Sequence, residues 1–148
     1  MMPQTLSQEA MKSRLSALWT FVLVNMLFAD VFSFMVPGAL QQIAAGVVDG
    51  VQLTPGFLLI AAVLTEIPMA MIILARLLPY RANRWANILG GVFTSLWVVG
   101  LGSATPHYLF IASVEVLCAG AIVWLAWRWR APESQRLENL AATFATGD

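Results

Sequence analysis

Four long stretches of apolar residues constrain the fold of this chain more than any other feature. They cover about residues 15–36, 57–78, 85–101 and 108–127 of the 148-residue sequence. A helix that crosses a membrane needs roughly 20 apolar residues, and about 17 is the practical lower limit. Three stretches exceed that limit comfortably, whereas the third, which contains Gly90, Gly91 and Gly100, is marginal. We therefore predict an all-α membrane protein that folds as one bundle of four transmembrane helices.

The composition agrees with a membrane protein and excludes several other classes. Hydrophobic residues make up 59% of the chain and charged residues 11%, whereas a soluble domain has about 45–50% apolar and roughly 25% charged residues. This excludes a disordered chain, a disulfide scaffold and an enzyme with a solvated surface. Eight basic residues balance eight acidic ones, so we expect no nucleic-acid partner. A single histidine excludes bis-histidine haem and His-rich zinc sites, and we predict no cofactor and no metal site.

Proline and glycine mark the ends of the predicted helices. Two Thr-Pro pairs, at residues 54–55 and 105–106, each place a capping hydroxyl before a proline at the first helical position. A Pro-Gly pair at residues 37–38 ends the first span. The connection from residue 38 to residue 54 is either a short helix in the outer interface or a plain loop.

The distribution of basic residues predicts the orientation. All eight fall on one side of the membrane if both termini are cytoplasmic, as the positive-inside rule requires. We therefore predict a protein of the cytoplasmic (inner) membrane, with a cytoplasmic N-terminal segment (1–14), a transmembrane domain (15–130) and a cytoplasmic tail (131–148). The basic residues are Lys12, Arg14, Arg76, Arg81, Arg84, Arg128, Arg130 and Arg136. Aromatic residues on the same side predict an interfacial belt, and these are Trp19, Tyr80, Trp85, Trp124, Trp127 and Trp129.

Three acidic residues lie inside the apolar spans and are the main candidates for function. Depths are counted from the middle of each span at 1.5 Å per residue. Glu66 is near the middle, Glu115 lies a few Å from the middle toward the outer side, and Asp30 lies roughly 6 Å from the middle toward the same side. Asn25 lies at mid-depth on the first span. Inserting an ionised acid at a helix centre costs about 2.5–3.5 kcal/mol, and protonating a glutamate at pH 7 costs about 3.7 kcal/mol. Because these costs are similar, we predict a set of acids that exchanges a proton or binds a cation.

A structural role for the same acids stays open. A protonated carboxyl can donate a hydrogen bond across helices and hold the bundle together, at about 0.6 kcal/mol for each such bond. Because three acids lie at similar depth in their spans, we favour a binding site over this structural role.

The third stretch carries two further patterns. Arg81, Arg84 and Asn87 lie at its cytoplasmic end, where they either bind a lipid phosphate or serve only to fix the topology. Asn87, Gly91 and Ser95 recur at intervals of four residues. Small and polar residues at this spacing predict close contact with a neighbouring helix.

Three motifs resemble an uncharacterised bacterial family, and the resemblance extends over nearly the whole chain. The motifs are residues 28–38 (FADVFSFMVPG), 66–71 (EIPMAM) and 83–88 (NRWANI). The resemblance implies a four-span membrane protein of about 150 residues. It implies no activity, because the function of that family is unknown.

These observations support three hypotheses for the function. The first is a protein that binds or transports a proton, a cation or a small solute through the intramembrane carboxylates. The second is a non-catalytic accessory subunit with protonated, buried acids, and the third is a membrane enzyme acting on a lipid or a quinone. The expected partners are the lipid bilayer and either further copies of the chain or a larger membrane complex.

Overall fold

The computed structural model describes residues 2–48, 50–100, 102, 104–130 and 137. The predicted cytoplasmic tail, residues 131–148, lies outside the described residues apart from residue 137. The described chain is mostly helical, which confirms the all-α class. Its elements are α1 (Met2–Phe34), α2 (Ala39–Ala44), β1 (Val47–Val48), β2 (Val51–Gln52), α3 (Pro55–Leu77), α4 (Tyr80–Gly100) and α5 (Pro106–Arg128).

A long helix occupies each of the four predicted positions. Three segments of the described chain are long and apolar enough to cross a membrane, namely Gln8–Phe34 in α1 and the whole of α3 and α5. The fourth helix, α4, is 21 residues long but less apolar, because its first two turns carry Arg81, Asn83, Arg84 and Asn87. Length and composition therefore show three candidate spans.

The helix boundaries follow the local sequence signals. α3 begins at Pro55, and the Thr54 hydroxyl accepts a hydrogen bond from the Phe57 amide at 3.1 Å. α5 begins at Pro106, directly after Thr105. Both starts were predicted from the Thr-Pro pairs and are confirmed. The predicted capping hydroxyl is confirmed at Thr54 but is wrong at Thr105, whose side chain makes no capping hydrogen bond to α5.

The connection between α1 and α3 contains the short helix α2 and an antiparallel hairpin, in which Val48 is the partner of Val51. The sequence predicted the short helix as one of two alternatives but did not predict the hairpin. Gly50 in the hairpin turn has a φ of 82°, which is in the left-handed region that two-residue hairpin turns require.

The four long helices form a bundle with two distinct ends. α1 packs against α3 and α5, and α4 packs against the same two helices from the other side. We call the end where α1 and α4 begin the basic end, because Lys12, Arg14, Arg76, Arg81, Arg84, Arg128 and Arg130, the described Lys and Arg residues, belong to it. The opposite end, which carries α2 and the hairpin, is the hairpin end. Arg136 lies outside the described residues.

The basic end contains the main core and a buried chain of hydrogen bonds. Trp19 Nε1 donates to Asn87 Oδ1 at 2.7 Å, and Asn87 Nδ2 donates to Asn83 Oδ1 at 2.6 Å. Asn83 Nδ2 in turn donates to the Ala75 carbonyl at 2.6 Å. All three donor side chains are fully buried. This Trp19–Asn87–Asn83 chain joins α1, α4 and α3 where water cannot replace the bonds.

The burial of two aromatic residues corrects the predicted interfacial belt. Trp19 is completely buried, and Trp129 is nearly so. Trp129 Nε1 donates to Gln8 Oε1 at 2.7 Å, and its ring packs edge-on against Tyr80. The prediction that these two tryptophans belong to a belt is wrong, because both pack inside the bundle. Trp85, Trp124 and Trp127 are exposed.

α4 and α5 approach closely at a glycine. A Cβ added to Gly91 would lie 2.7 Å from Val123 Cγ2 and 3.2 Å from the Ala119 carbonyl oxygen. Distances this short leave no room for a side chain, so the contact requires glycine. The predicted small-residue contact of the third stretch is thereby confirmed at Gly91.

Candidate functional site

The candidate site is a cavity of about 420 Å³ that extends from the middle of the bundle to the hairpin end. All four long helices contribute to its wall, which is mainly apolar and contains two carboxylates. The lining residues are Leu23, Val24, Met26, Leu27, Ala29 and Asp30 of α1, Thr65 and Met69 of α3, Trp97 and Val98 of α4, and Tyr108 and Glu115 of α5.

Glu115 is the buried acid of this cavity. Its side chain is only 3% exposed, and Oε1 has no hydrogen-bond partner among the described residues. It belongs to the inward stripe of α5, in which Ile111, Ala119 and Ile122 are also buried. Residues spaced by three or four positions share one face of a helix, and this places Glu115 inside the bundle. Glu115 is therefore an inward-facing residue that also belongs to the cavity wall.

Asp30 is the second carboxylate, and it lies near the mouth of the cavity. It is in the last turn of α1, and its side chain is more exposed than that of Glu115. Asp30, Glu115 and the Tyr108 phenol are close enough to interact electrostatically. The cavity thus has one carboxylate at depth and one at its opening.

Tyr108 fixes the wall at the hairpin end. Its hydroxyl donates to the Val98 carbonyl at 3.0 Å, which joins the start of α5 to the end of α4. Thr65 lies on the α3 side, and its hydroxyl donates to the Ala61 carbonyl of its own helix at 3.0 Å. The oxygens of both hydroxyls keep lone pairs with which they could accept a bond from a ligand.

The structure brings together two of the three acids that lie inside the apolar stretches. Glu66 does not line the cavity, and its side chain is exposed on the outside of α3. Thr65 and Met69 are the α3 residues that line the cavity. An α-helix has 3.6 residues per turn, so the side chain of Glu66 points about 100° away from that of Thr65. Asn25 also lies outside the lining, and its amide donates to the Phe21 carbonyl of α1 at 2.9 Å.

The comparison with known families assigns the chain to a family. The model of a family of unknown function, DUF6326, matches residues 6–135. The chain belongs to this family. The matched range includes all four cavity-lining helices. A search of curated proteins and a search of solved structures found no match. The DUF6326 assignment confirms the family resemblance found in the sequence, and it brings no activity with it.

The polar residues at the basic end of this DUF6326 protein join helices to one another. Arg84 Nη2 donates to the Trp127 carbonyl at 3.0 Å, and the guanidinium lies 5.7 Å from the centre of the Trp127 ring. Asn87 is fully buried within the Trp19–Asn87–Asn83 chain. Arg81 is exposed. Arg84 and Asn87 therefore hold helices together. Of the three residues considered as ligands of a lipid phosphate, only Arg81 has an exposed side chain with no such contact among the described residues.

Sequence reasoning missed Tyr108, Trp97 and the methionines as parts of the site. Tyr108 precedes Glu115 by seven residues, which is two helical turns and therefore the same helix face. That spacing was a usable signal. Trp97 and Met26 carried none, because their place in the wall depends on how α1 and α4 rotate against their neighbours.

Proposed function

We propose that this chain is an integral protein of the cytoplasmic membrane in which Glu115, together with Asp30, binds a proton or a cationic small solute. The observation that supports this proposal is the buried Glu115 carboxyl, which belongs to a residue of the cavity wall and whose Oε1 has no hydrogen-bond partner among the described residues. A buried acceptor left unpaired costs about 1–3 kcal/mol, and more when it is charged. A proton on the carboxyl removes the charge, and a cation in the cavity neutralises it, so either one lowers that cost.

No basic side chain of the described chain is in a position to neutralise Glu115. The cavity wall contains neither lysine nor arginine, and the described basic residues belong to the basic end. On α5 itself the first arginine is Arg128, thirteen positions from Glu115 and thus roughly 20 Å along the helix. Charge compensation at Glu115 therefore has to come from outside the described residues.

We place the bundle across the membrane with the basic end in the cytoplasm. In this proposal α4 is the fourth span, and its polar first two turns lie at the cytoplasmic interface, where Arg84 and the Trp127 ring suit a mixed environment. Both termini are then cytoplasmic, and the cavity opens in the outer half of the bilayer. The positive-inside rule supports this orientation.

Cysteine labelling of intact cells tests both the span count and the orientation. In a Cys118→Ser background, we expect a membrane-impermeant maleimide to label Gln52→Cys and Ala104→Cys in intact cells. Arg130→Cys should react only after permeabilisation. The three wild-type residues are exposed, so access is decided by the membrane. Labelling of Gln52→Cys and Arg130→Cys but not Ala104→Cys in intact cells would show that α4 does not cross. Labelling of Arg130→Cys with neither Gln52→Cys nor Ala104→Cys labelled would show that the orientation is the reverse.

Infrared spectroscopy of the protein in lipid tests the role of Glu115. Between about pH 5 and pH 9 we expect a protonated-carboxyl band that changes intensity in the wild type and is lost in Glu115→Gln. Glu66→Gln is the matched control, since it makes the same chemical change on an exposed site of α3. The Glu66→Gln protein should keep the titrating band.

The infrared result also separates this proposal from the accessory-subunit hypothesis. A Glu115 band that is present but constant over the whole pH range would identify the acid as a permanent hydrogen-bond donor. A titrating band that survives in Glu115→Gln and disappears in Glu66→Gln would move the exchanging acid to α3. Either result would contradict the role proposed for Glu115.

Glu66 itself favours a further partner in the membrane. Its carboxyl shares a face of α3 with exposed apolar side chains such as Val63 and Ile73. A carboxyl facing hydrocarbon is costly, and such residues usually face a protein interior or a water-filled space. A second copy of the chain or another subunit of a larger membrane complex would cover the Glu66 carboxyl. Such a partner stays a prediction.

A further inference from the structure

We propose that the cavity binds a small organic amine in its ammonium form, with an aromatic or alkyl body. This inference rests on the proposed function, because it names the solute that Glu115 and Asp30 would bind. It is carried by three features of the cavity, namely its size, its apolar wall and its two carboxylates.

The size and the wall fit an organic molecule. A volume of about 420 Å³ is within the range of roughly 300–1,000 Å³ typical of small-molecule sites, which are mostly apolar with a few placed polar groups. Leu27, Met26 and Met69 supply apolar surface, and methionine adapts well to ligands of irregular shape. A proton or a bare metal ion would leave most of this surface uncovered.

The charged groups of the wall favour an ammonium. Glu115 and Asp30 are both acceptors when ionised, and the unpartnered Glu115 Oε1 lacks a donor. An ammonium N–H supplies that donor together with a positive charge. The rings of Trp97 and Tyr108 also line the cavity, and aromatic faces attract organic cations.

The donor set does not suit a hard divalent ion. Calcium takes six to eight oxygen ligands, so both oxygens of both carboxylates and the two hydroxyls of the wall would all have to converge on one ion. Among the described residues no three His, Cys, Asp or Glu side chains come together in a group that could hold a metal. An ammonium needs far fewer oxygens, since each N–H makes one hydrogen bond.

Binding is coupled to release of a proton. The ammonium enters as Glu115 gives up its carboxylic proton to the bulk water, and an ammonium N–H then donates to the carboxylate. One positive charge enters and one leaves.

The titratable groups near Glu115 are Asp30 on α1 and Tyr108 and Cys118 on α5. The wall residues of α3 and α4 are not titratable. His107, at the start of α5, lies beside Thr105 with 3.4 Å between Nε2 and Oγ1.

Calorimetry with a charged and a neutral probe tests this proposal. The full-length protein in nanodiscs of zwitterionic lipid is titrated with benzylamine and, separately, with benzyl alcohol, which keeps the ring and a hydrogen-bond donor but lacks the charge. We expect benzylamine to bind and benzyl alcohol to bind at least about tenfold more weakly. Glu115→Gln should weaken benzylamine binding by about 30-fold or more, as loss of one partner of a buried charge pair does. Glu66→Gln should leave it unchanged. Repeating the titration in two buffers of different ionisation enthalpy should show release of protons.

The outcomes separate this proposal from the one on which it rests. Equal binding of the two probes, or no loss in Glu115→Gln, would overturn the ammonium assignment. If benzylamine and a longer alkylamine, hexylamine, both fail to bind while the Glu115 infrared band still titrates, the ligand class is wrong and the carboxyl function stands. If the amines fail to bind and the band does not titrate, both proposals fail.

Discussion

Replacing Trp19 with alanine is expected to lower the free energy of unfolding by about 3–5 kcal/mol, the usual cost of truncating a buried tryptophan. Trp19 is fully buried, and its indole ring packs against Gly90 of α4. The substitution leaves a cavity between the helices and also removes the donor to Asn87 Oδ1. That oxygen is then buried without its partner, which adds to the loss. The measurement is reversible unfolding in mixed detergent micelles, followed by circular dichroism.

The control for this prediction is Trp85→Ala. Trp85 lies at the same end of the bundle, but its side chain is 57% exposed. The same atoms are removed in both variants, so the difference between them measures burial and the lost hydrogen bond. Equal destabilisation by the two substitutions would show that the Trp19–Asn87–Asn83 chain does not stabilise the fold.

Gly91→Ala is expected to destabilise the protein by about 1–3 kcal/mol, the typical cost of overpacking. The added methyl group would meet Val123 Cγ2 at 2.7 Å and the Ala119 carbonyl at 3.2 Å. The valine can rotate, but the carbonyl belongs to the α5 backbone, so the two helices have to separate. Loss of this contact also weakens the position of Glu115, one turn before Ala119 on the same face. The same unfolding measurement gives the size of the effect.

Gly120→Ala is the matched control for Gly91→Ala. Gly120 lies in the interior of α5, and nothing is within 4 Å of a Cβ added there. Both substitutions gain the same intrinsic helix propensity, about 1 kcal/mol, so the difference between the two variants isolates the helix contact. A Gly91→Ala protein as stable as Gly120→Ala would show that α4 and α5 do not approach as closely as described.

Stability and the candidate site are concentrated at different ends of the bundle. The fully buried Trp19, Asn83 and Asn87 lie toward the basic end, whereas Asp30 and Glu115 line a cavity toward the hairpin end. A rigid end can hold the four helices in place while the cavity end keeps unfilled space and an unpaired carboxyl. Functional sites often carry such locally unfavourable groups at a cost in stability that other parts of the fold offset.

Local sequence signals predicted the helices and their starts well. The apolar stretches correspond to α1, α3, α4 and α5, and the Thr-Pro pairs correspond to the first residues of α3 and α5. Such segments are readable because a helix in a membrane satisfies its backbone hydrogen bonds within itself. The two tryptophans wrongly assigned to a belt show the limit of this reasoning. Nearness to a helix end says how deep a residue lies, but not whether its side chain points inward.

The candidate site was predictable only in part, for the same reason. The sequence alone determined that three carboxylates lie inside long apolar stretches, because this follows from the order of the residues. Only the tertiary structure decided that Asp30 and Glu115 share a cavity and that Glu66 lies outside it. The rotation of each helix about its axis is set by close packing, as at Gly91 against Ala119 and at Trp19 against Asn87. Those contacts join distant parts of the chain, and no local pattern specifies them.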